Sequence, residues 1–305
     1  MSKRVFLFLV LNCLIVSSVG VLIQFLGIRN YLGHQGINYQ QLLFWCFLWG
    51  MGGSFISLLF SRSFAKRAMA VEVIPGNTND PELMALLDVI RELSNKAGLK
   101  KMPEVGIYPS DEINAFATGP SRNRALLAIS SGLAHRMNRD QIIGVLGHEI
   151  SHIANGDMVT LALLQGTVNC FVLFLARIIS FGLIEDNGSR IKALARMFLM
   201  FGLEIFFNFF GSMLLAWFSR YREFRADAGS ASLAGADKMI NALNSLRIQS
   251  EFTNNSVELP KYSNMQVYGK ERRFFNPFAT HPSIEKRITA LEHFQPISQE
   301  GNQDE

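Results

Sequence analysis

Residues 147–152 read Gly-His-Glu-Ile-Ser-His, and the spacing of the two histidines suits a metal site built on a helix. Four residues make about one helical turn, so His148 and His152 project from one face and can close on a single zinc ion, with Glu149 beside them as base for an attacking water. That chemistry is metal-assisted hydrolysis of a peptide bond. Zinc in such a hydrolase takes three protein ligands and keeps one position open. None of His34, His135, His281 and His293 stands close enough to supply a third ligand from the same helix, which excludes the metzincin pattern. An acidic ligand from another helix remains. Glu223, with Asp227 one turn further on, ranks above Glu258 and Glu285, because a hydrophobic hairpin from Met158 to Phe218 would return it to the face left at Asp157.

The elements that must hold these residues are legible nearby. Asn138 and Gln141 make a capping box, Ile143, Leu146, Ile150 and Ile153 form an apolar stripe at helical spacing, and Gly156-Asp157 supplies a stop. The zinc pair therefore lies in the body of a helix. Upstream, Ala68 to Ile74 reads as extended, and Asn79-Asp80-Pro81 opens a helix that should end at Gly98. Three strands follow at 104–108, 114–118 and 125–130, with Gly119-Pro120 turning between the last two. A small sheet beside the zinc helix is the economical arrangement, and an exposed edge strand in it could lay an extended peptide across the metal. Downstream, 220–234, 237–247 and 283–293 read as helices, 249–275 as a long loop, and 298–305 as a frayed tail.

Of the 305 residues 49% are hydrophobic and only 18% charged, and the 25 phenylalanines concentrate in a few runs. Phe6 to Phe25 and Leu42 to Phe60 carry no charge and are each about long enough to span a bilayer. Met158 to Phe181, interrupted by Arg177, and Met197 to Phe218, carrying Glu204, are a third and fourth candidate. An ionised carboxylate facing lipid is costly, so Glu204 should face protein or a wet cavity, with Arg177 and Asn208 as company. Lys3 and Arg4 before the first segment, and Arg62, Lys66 and Arg67 behind the second, put both flanks on the cytoplasmic side, with 28–41 and 182–195 opposite. The first segment reads as an anchor, since no small-x-small cleavage site follows it. Residues 61–157 and 219–305 each balance basic against acidic groups, so the net charge of +4 belongs to the membrane parts. No basic stripe interleaved with aromatics suggests a nucleic-acid partner. Cys13, Cys46 and Cys170 all fall in apolar runs and form neither a zinc knuckle nor a disulfide framework.

Five blocks together carry a resemblance. They are the N-terminal hydrophobic pair, Asn114-Ala-Phe-Ala-Thr-Gly119, residues 147–152 with Asn155-Gly-Asp157, Ser219-Arg-Tyr-Arg-Glu-Phe-Arg-Ala-Asp227, and Thr280-His-Pro-Ser-Ile-Glu-Lys-Arg-Ile288. In that order the chain resembles the HtpX family of bacterial membrane zinc metalloproteases, relatives of the CAAX prenyl endopeptidases. The resemblance implies an α+β, zincin-like catalytic domain among membrane helices, with one Zn2+ held by His148, His152 and Glu223 and with Glu149 as general base. It implies that Asp227 orients a ligand, that His281 donates to the oxyanion, and that Arg287 and the strand at Asn114, Ala115 and Phe116 hold substrate. It implies membrane-protein and unfolded-protein substrates, a multi-pass protein of the bacterial inner membrane with its catalytic part facing the cytoplasm, and a role in quality control under stress. Narrower processing of prenylated substrates is the alternative within enzymes. An adaptor with a dead site is the alternative outside them, and the intact Glu149 argues against it. The expected organisation is a membrane anchor at 1–67, catalytic parts at 68–157 and 219–297 around a hydrophobic hairpin at 158–218, and a tail at 298–305.

Overall fold

The computed structural model describes residues 38–184, 189–255 and 281–294. The first apolar segment, Cys13, His34, Glu258 and the tail at 298–305 lie outside them. The chain divides into two compact units. One takes the described residues up to Leu58 together with Thr160–Leu215, and the other takes Leu59–Val159 with the described residues from Ala216 onward.

In the first unit, three helices are long and apolar enough to cross a membrane, and all continue into the other unit: α1 (Tyr39–Ala68), α5 (Asp157–Leu183) and α6 (Arg190–Ala234). They approach through small residues. A Cβ on Gly50 of α1 would stand 2.5 Å from the backbone nitrogen of Cys170 on α5, one on Gly166 would stand 2.7 Å from Met51 Sδ, and one on Gly211 of α6 would meet Val168 of α5 at 2.5 Å. Where lipid supplies no hydrophobic drive, close backbone approach of this kind holds helices together. Cys46 and Cys170 pack with Phe174 as small buried hydrophobes. Arg177 Nη1 lies 3.3 Å from Glu204 Oε1, and Asn208 donates to the Glu204 carbonyl. The Glu204 carboxylate therefore has one of its two expected neighbours, Arg177, while Asn208 reaches the backbone carbonyl of Glu204 instead.

In the second unit, the sheet has the order β1-β2-β4-β3, built from β1 (Glu72–Val73), β2 (Glu104–Tyr108), β3 (Ala115–Thr118) and β4 (Leu126–Ser130). β2 and β4 pair in parallel, and β3 runs antiparallel to β4 at one edge. All five residues of β4 are buried, as suits a central strand covered on both faces. Asp80 caps α2 (Pro81–Lys96) through the amides of Glu82 and Leu83. Leu87, Ile90 and Leu93 of α2, Leu127 and Ile129 of β4, and Leu146, Ile150 and Ile153 of the zinc helix form one core. Arg62 and Lys66, two of the basic residues behind the second apolar segment, both pair with Glu104 at the start of β2.

Three expectations need correction. The fourth apolar segment and the helix at 220–234 are one helix of 45 residues, α6, because Arg220 and Arg222 end the apolar run without disfavouring helix. The helix α7 (Ala236–Asn255) continues through residues 249–255, which read as loop; residues 256–280 lie outside the described part. Between β3 and β4 the chain makes a longer connection than one turn, with a 3-10 turn at Arg122–Arg124 after the left-handed Gly119.

Candidate active site

The zinc-motif helix, preceded by the short α3 (Ser131–Arg136), is α4 (Arg139–Asn155). It starts on the capping box of Asn138 and Gln141 and stops on Gly156 in the left-handed conformation (φ 68°). Its faces divide the work. Leu146, Ile150 and Ile153 enter the core, whereas Gly144, Gly147 and Ser151 form a narrow seam for neighbouring helices. Ser230 of α6 donates to the Gly144 carbonyl at 2.7 Å, and a Cβ on Gly147 would stand 2.8 Å from Ser230 Oγ. A Cβ on Gly229 would meet Ser151 Oγ at 2.5 Å. This close approach lets Glu223, two turns back along α6, reach the two histidines with an ordinary carboxylate side chain.

The reach is complete. His148 Nε2 and His152 Nε2 are 3.1 Å apart, and the Glu223 oxygens lie 3.6 Å and 3.4 Å from them. The donor atoms of all three residues fall within 4.8 Å of one another, and Glu223 is 3% exposed. Ligand nitrogens at about 2.0–2.1 Å from a tetrahedral zinc stand about 3.3 Å apart, so the donor set fits that ion. Each imidazole also has its other nitrogen engaged. His148 Nδ1 is 2.8 Å from Asp227 Oδ1, and His152 Nδ1 is 2.7 Å from Asp157 Oδ2. A carboxylate at Nδ1 holds the proton there and leaves Nε2 free to bind metal.

Behind the aspartates stand arginines. Arg287 of α8 (Ile284–Glu292) gives Nε and Nη2 to the two oxygens of Asp227 at 2.8 Å and 2.7 Å, and Arg225 Nη2 is 3.0 Å from Asp157 Oδ1. His281 Nδ1 stands 2.8 Å from Glu223 Oε2, on a half-exposed side chain. Asp157 and Arg225 as partners of His152 were missed by sequence reasoning. The available signal was the carboxylate that directly follows the helix-ending glycine, five positions past His152. Arg225 stands two positions before Asp227 in the chain yet pairs with Asp157.

These contacts shift the protonation of His148, His152, Glu223 and Asp227. Burial alone would lower the His152 pKa, but the hydrogen bonds to Asp157 and Glu223 outweigh it and push the imidazole up to about 9. His148 is raised in the same way, against burial, by Asp227 and Glu223. Glu223 lies beyond the apolar run of α6. Burial raises its pKa, yet the donors His148, His152 and His281 together hold it well below the carboxylate range. Asp227 is likewise lowered, against burial, by Arg287 and His148. Glu149 differs, because withdrawal from water dominates and pushes its carboxyl up despite the two histidines. A carboxyl with a raised pKa can hold a proton between steps.

On the sheet side, β3 packs against α4 and is an edge strand among the described residues. The Asn114 carbonyl accepts from the Ser130 amide, while the Asn114 amide donates to Ser130 Oγ. By antiparallel alternation the main-chain groups of Ala115 and Ala117 then point away from β4 to the free edge. Phe116 stacks near Tyr108, with ring centroids 5.5 Å apart.

Comparison with known proteins agrees with this geometry. The model of peptidase family M48 matches residues 82–295, which include every residue of the cluster. The chain belongs to peptidase family M48. A "Protease HtpX homolog" of Bacillus licheniformis is 43% identical over 300 residues, covering 96% of this chain and 99% of the relative. A "Protease HtpX" of Acinetobacter baumannii is 44% identical, covering 94% and 97%. Among solved structures, S. mikatae Ste24p superposes with a TM-score of 0.62 at 16% identity, covering 96% of this chain and 67% of that one. The last likeness is one of fold. Family membership and the buried His-His-Glu cluster together mark the site as that of a metalloendopeptidase, in a chain with several membrane-length helices.

Proposed function

We propose that the chain is a membrane-bound, zinc-dependent endopeptidase that hydrolyses damaged or misassembled membrane proteins. The observation that carries this reading is the convergence of two Nε2 atoms and one carboxylate, with each Nδ1 already taken by an aspartate. His148, His152 and Glu223 would hold the ion. Bound there, zinc supplies Lewis acidity that polarises the scissile carbonyl and makes water nucleophilic near neutral pH. Glu149 takes the proton of the attacking water and delivers it to the leaving amine, a role served by its raised pKa. An extended peptide adds to the free edge of β3 at Ala115 and Ala117, and Asn114 contributes its exposed side chain, since both its main-chain groups are engaged by Ser130. His281, half-exposed beside Glu223, donates to the carbonyl oxygen as it gains charge. Asp227 and Arg287 hold His148, and Arg287 Nη1, 3.7 Å from Glu223 Oε2, borders the space where substrate or product backbone would lie. The catalytic part faces the cytoplasm of a bacterial inner membrane, supported by the basic flanks Arg62, Lys66 and Arg67.

The test is hydrolysis of an unfolded model protein by purified protein in detergent. Glu149→Ala should keep its zinc and lose about 10²–10⁴-fold in turnover. Full activity in that variant would remove Glu149 from the reaction, and an inactive wild type that still binds unfolded protein would favour an adaptor.

A further inference from the structure

The two ligand histidines are held by parallel chains of groups that differ at their outer ends. His148 leads to Asp227 and then to Arg287, whose side chain is 10% exposed. His152 leads to Asp157 and then to Arg225, whose side chain is 43% exposed. Both aspartates are buried. The second chain also differs in its covalent origin. Asp157 is the first residue of α5, set by the left-handed Gly156, and Arg225 comes from α6, 68 positions away. The first turn of one hairpin arm and the returning part of the other thus meet at one carboxylate, and the other oxygen of that carboxylate holds a ligand.

We propose that Asp157 and Arg225 act together as a positioning pair that fixes the tautomer and direction of His152, and that zinc affinity depends on their contact. The proposal rests on the reading of His152 as a metal ligand. Each oxygen of the Asp157 carboxylate has its own partner, Oδ2 with His152 at 2.7 Å and Oδ1 with Arg225 at 3.0 Å. Without Arg225 the carboxylate loses the contact that sets its rotation about the Cβ–Cγ bond, and the oxygen that holds Nδ1 is free to turn away. Without Asp157, His152 loses the acceptor that keeps its proton on Nδ1, so part of the population presents a protonated Nε2 that cannot bind metal. Removal of Arg225, itself partly exposed, leaves the buried Asp157 carboxylate without its cation, so the Co2+ bands are read beside the affinity to separate a turned ligand from the loss of charge.

The experiment measures Zn2+ affinity of the full chain in detergent by competition with a chelator, and the visible bands of the Co2+-substituted protein. Asp157→Ala should bind Zn2+ about 10–100-fold more weakly than wild type. Asp157→Asn keeps an acceptor for Nδ1 and should lie between the two, with Co2+ bands close to wild type. Arg225→Ala should also fall between wild type and Asp157→Ala, and the double variant should be no weaker than Asp157→Ala, since Arg225 acts only through the carboxylate. The melting temperature of each zinc-free variant shows that the fold is kept; where Asp157→Ala fails to fold, Asp157→Asn and Arg225→Ala decide. Affinity within twofold of wild type for Asp157→Ala, or for both Asp157→Asn and Arg225→Ala, overturns the proposal, as does an additive double variant. His152→Ala separates the premise from the proposal. If it binds zinc as wild type does, the ligand reading fails; if it loses zinc while the Asp157 and Arg225 variants do not, only the positioning pair fails.

Discussion

Each ligand imidazole has a nitrogen for the ion and a nitrogen for an aspartate, and the metal-free cluster accordingly carries protons that zinc must displace. With His152 pushed up to about 9, the imidazole is charged at neutral pH, stabilised by Asp157 and Glu223. The sign follows directly: below about 9 binding costs a proton, and above it no longer does. Apparent zinc affinity should therefore climb about tenfold per pH unit for each displaced proton between about pH 7 and 9, then level off. His148, also raised, makes the slope steeper. Chelator competition across that range checks this, and an affinity flat in pH would contradict it. Glu223→Ala should weaken zinc by more than the roughly 10–100-fold expected for an outer partner, because it removes a ligand and leaves two charged imidazoles without their shared carboxylate. Zinc content equal to wild type after dialysis would exclude Glu223 as the third ligand. At this scale the motif spoke for the helix-borne pair, and the place of Glu223 behind the fourth apolar run, with the family resemblance, spoke for Glu223, but nothing in the sequence pointed to Arg225 as the partner of Asp157. A contact across 68 positions leaves no local pattern.

The elements were legible where their cause is local. Asn138 with Gln141, Asp80 with Pro81, and Gly156 mark helix ends by hydrogen bonds to backbone within a few residues, and the structure has each of them. Strands β2, β3 and β4 followed from alternation and turn residues, but their order did not, since the insertion of β4 between β2 and β3 is decided by nonlocal pairing. The continuity of α6 was hidden for another reason: hydropathy reports burial in lipid, and the helix passes from an apolar to a charged environment without breaking. Least legible was the seam that sets the distance from Glu223 to the histidines. Gly229 looks like a poor helix residue until Ser151 is found 2.5 Å from where its Cβ would stand. Gly229→Val should push α6 off α4, costing about 1–3 kcal/mol and weakening zinc binding as well. Gly202→Val is the matched control, having nothing within 4 Å of its Cβ position. Thermal unfolding and zinc titration of the pair test this, and equal behaviour of the two variants would show that the seam does not set the site.

At the scale of the molecule, the chain passes three times between a unit of membrane-length helices and a unit that carries the chemistry, and each faces its own solvation problem. The catalytic unit buries charge and satisfies it with paired aspartates and arginines. Among the described residues of the other unit, Arg177 pairs with Glu204 in helices that approach through small residues. An unpaired charge inside a membrane helix costs about 2.5–3.5 kcal/mol on insertion scales. Glu204→Leu leaves the Arg177 guanidinium with the Leu173 carbonyl at 3.1 Å but without its carboxylate, so this variant should lose about 2 kcal/mol of stability in lipid nanodiscs. Glu204→Gln retains an acceptor and should stay close to wild type. The decisive comparison is the double variant Arg177→Leu with Glu204→Leu, which removes both charges and should be more stable than Glu204→Leu alone. If the single and double variants melt together with wild type, the pair sits in water and not in the apolar layer. If the double variant is the least stable of all, the ion pair itself holds α5 to α6, beyond the cost of leaving one charge alone.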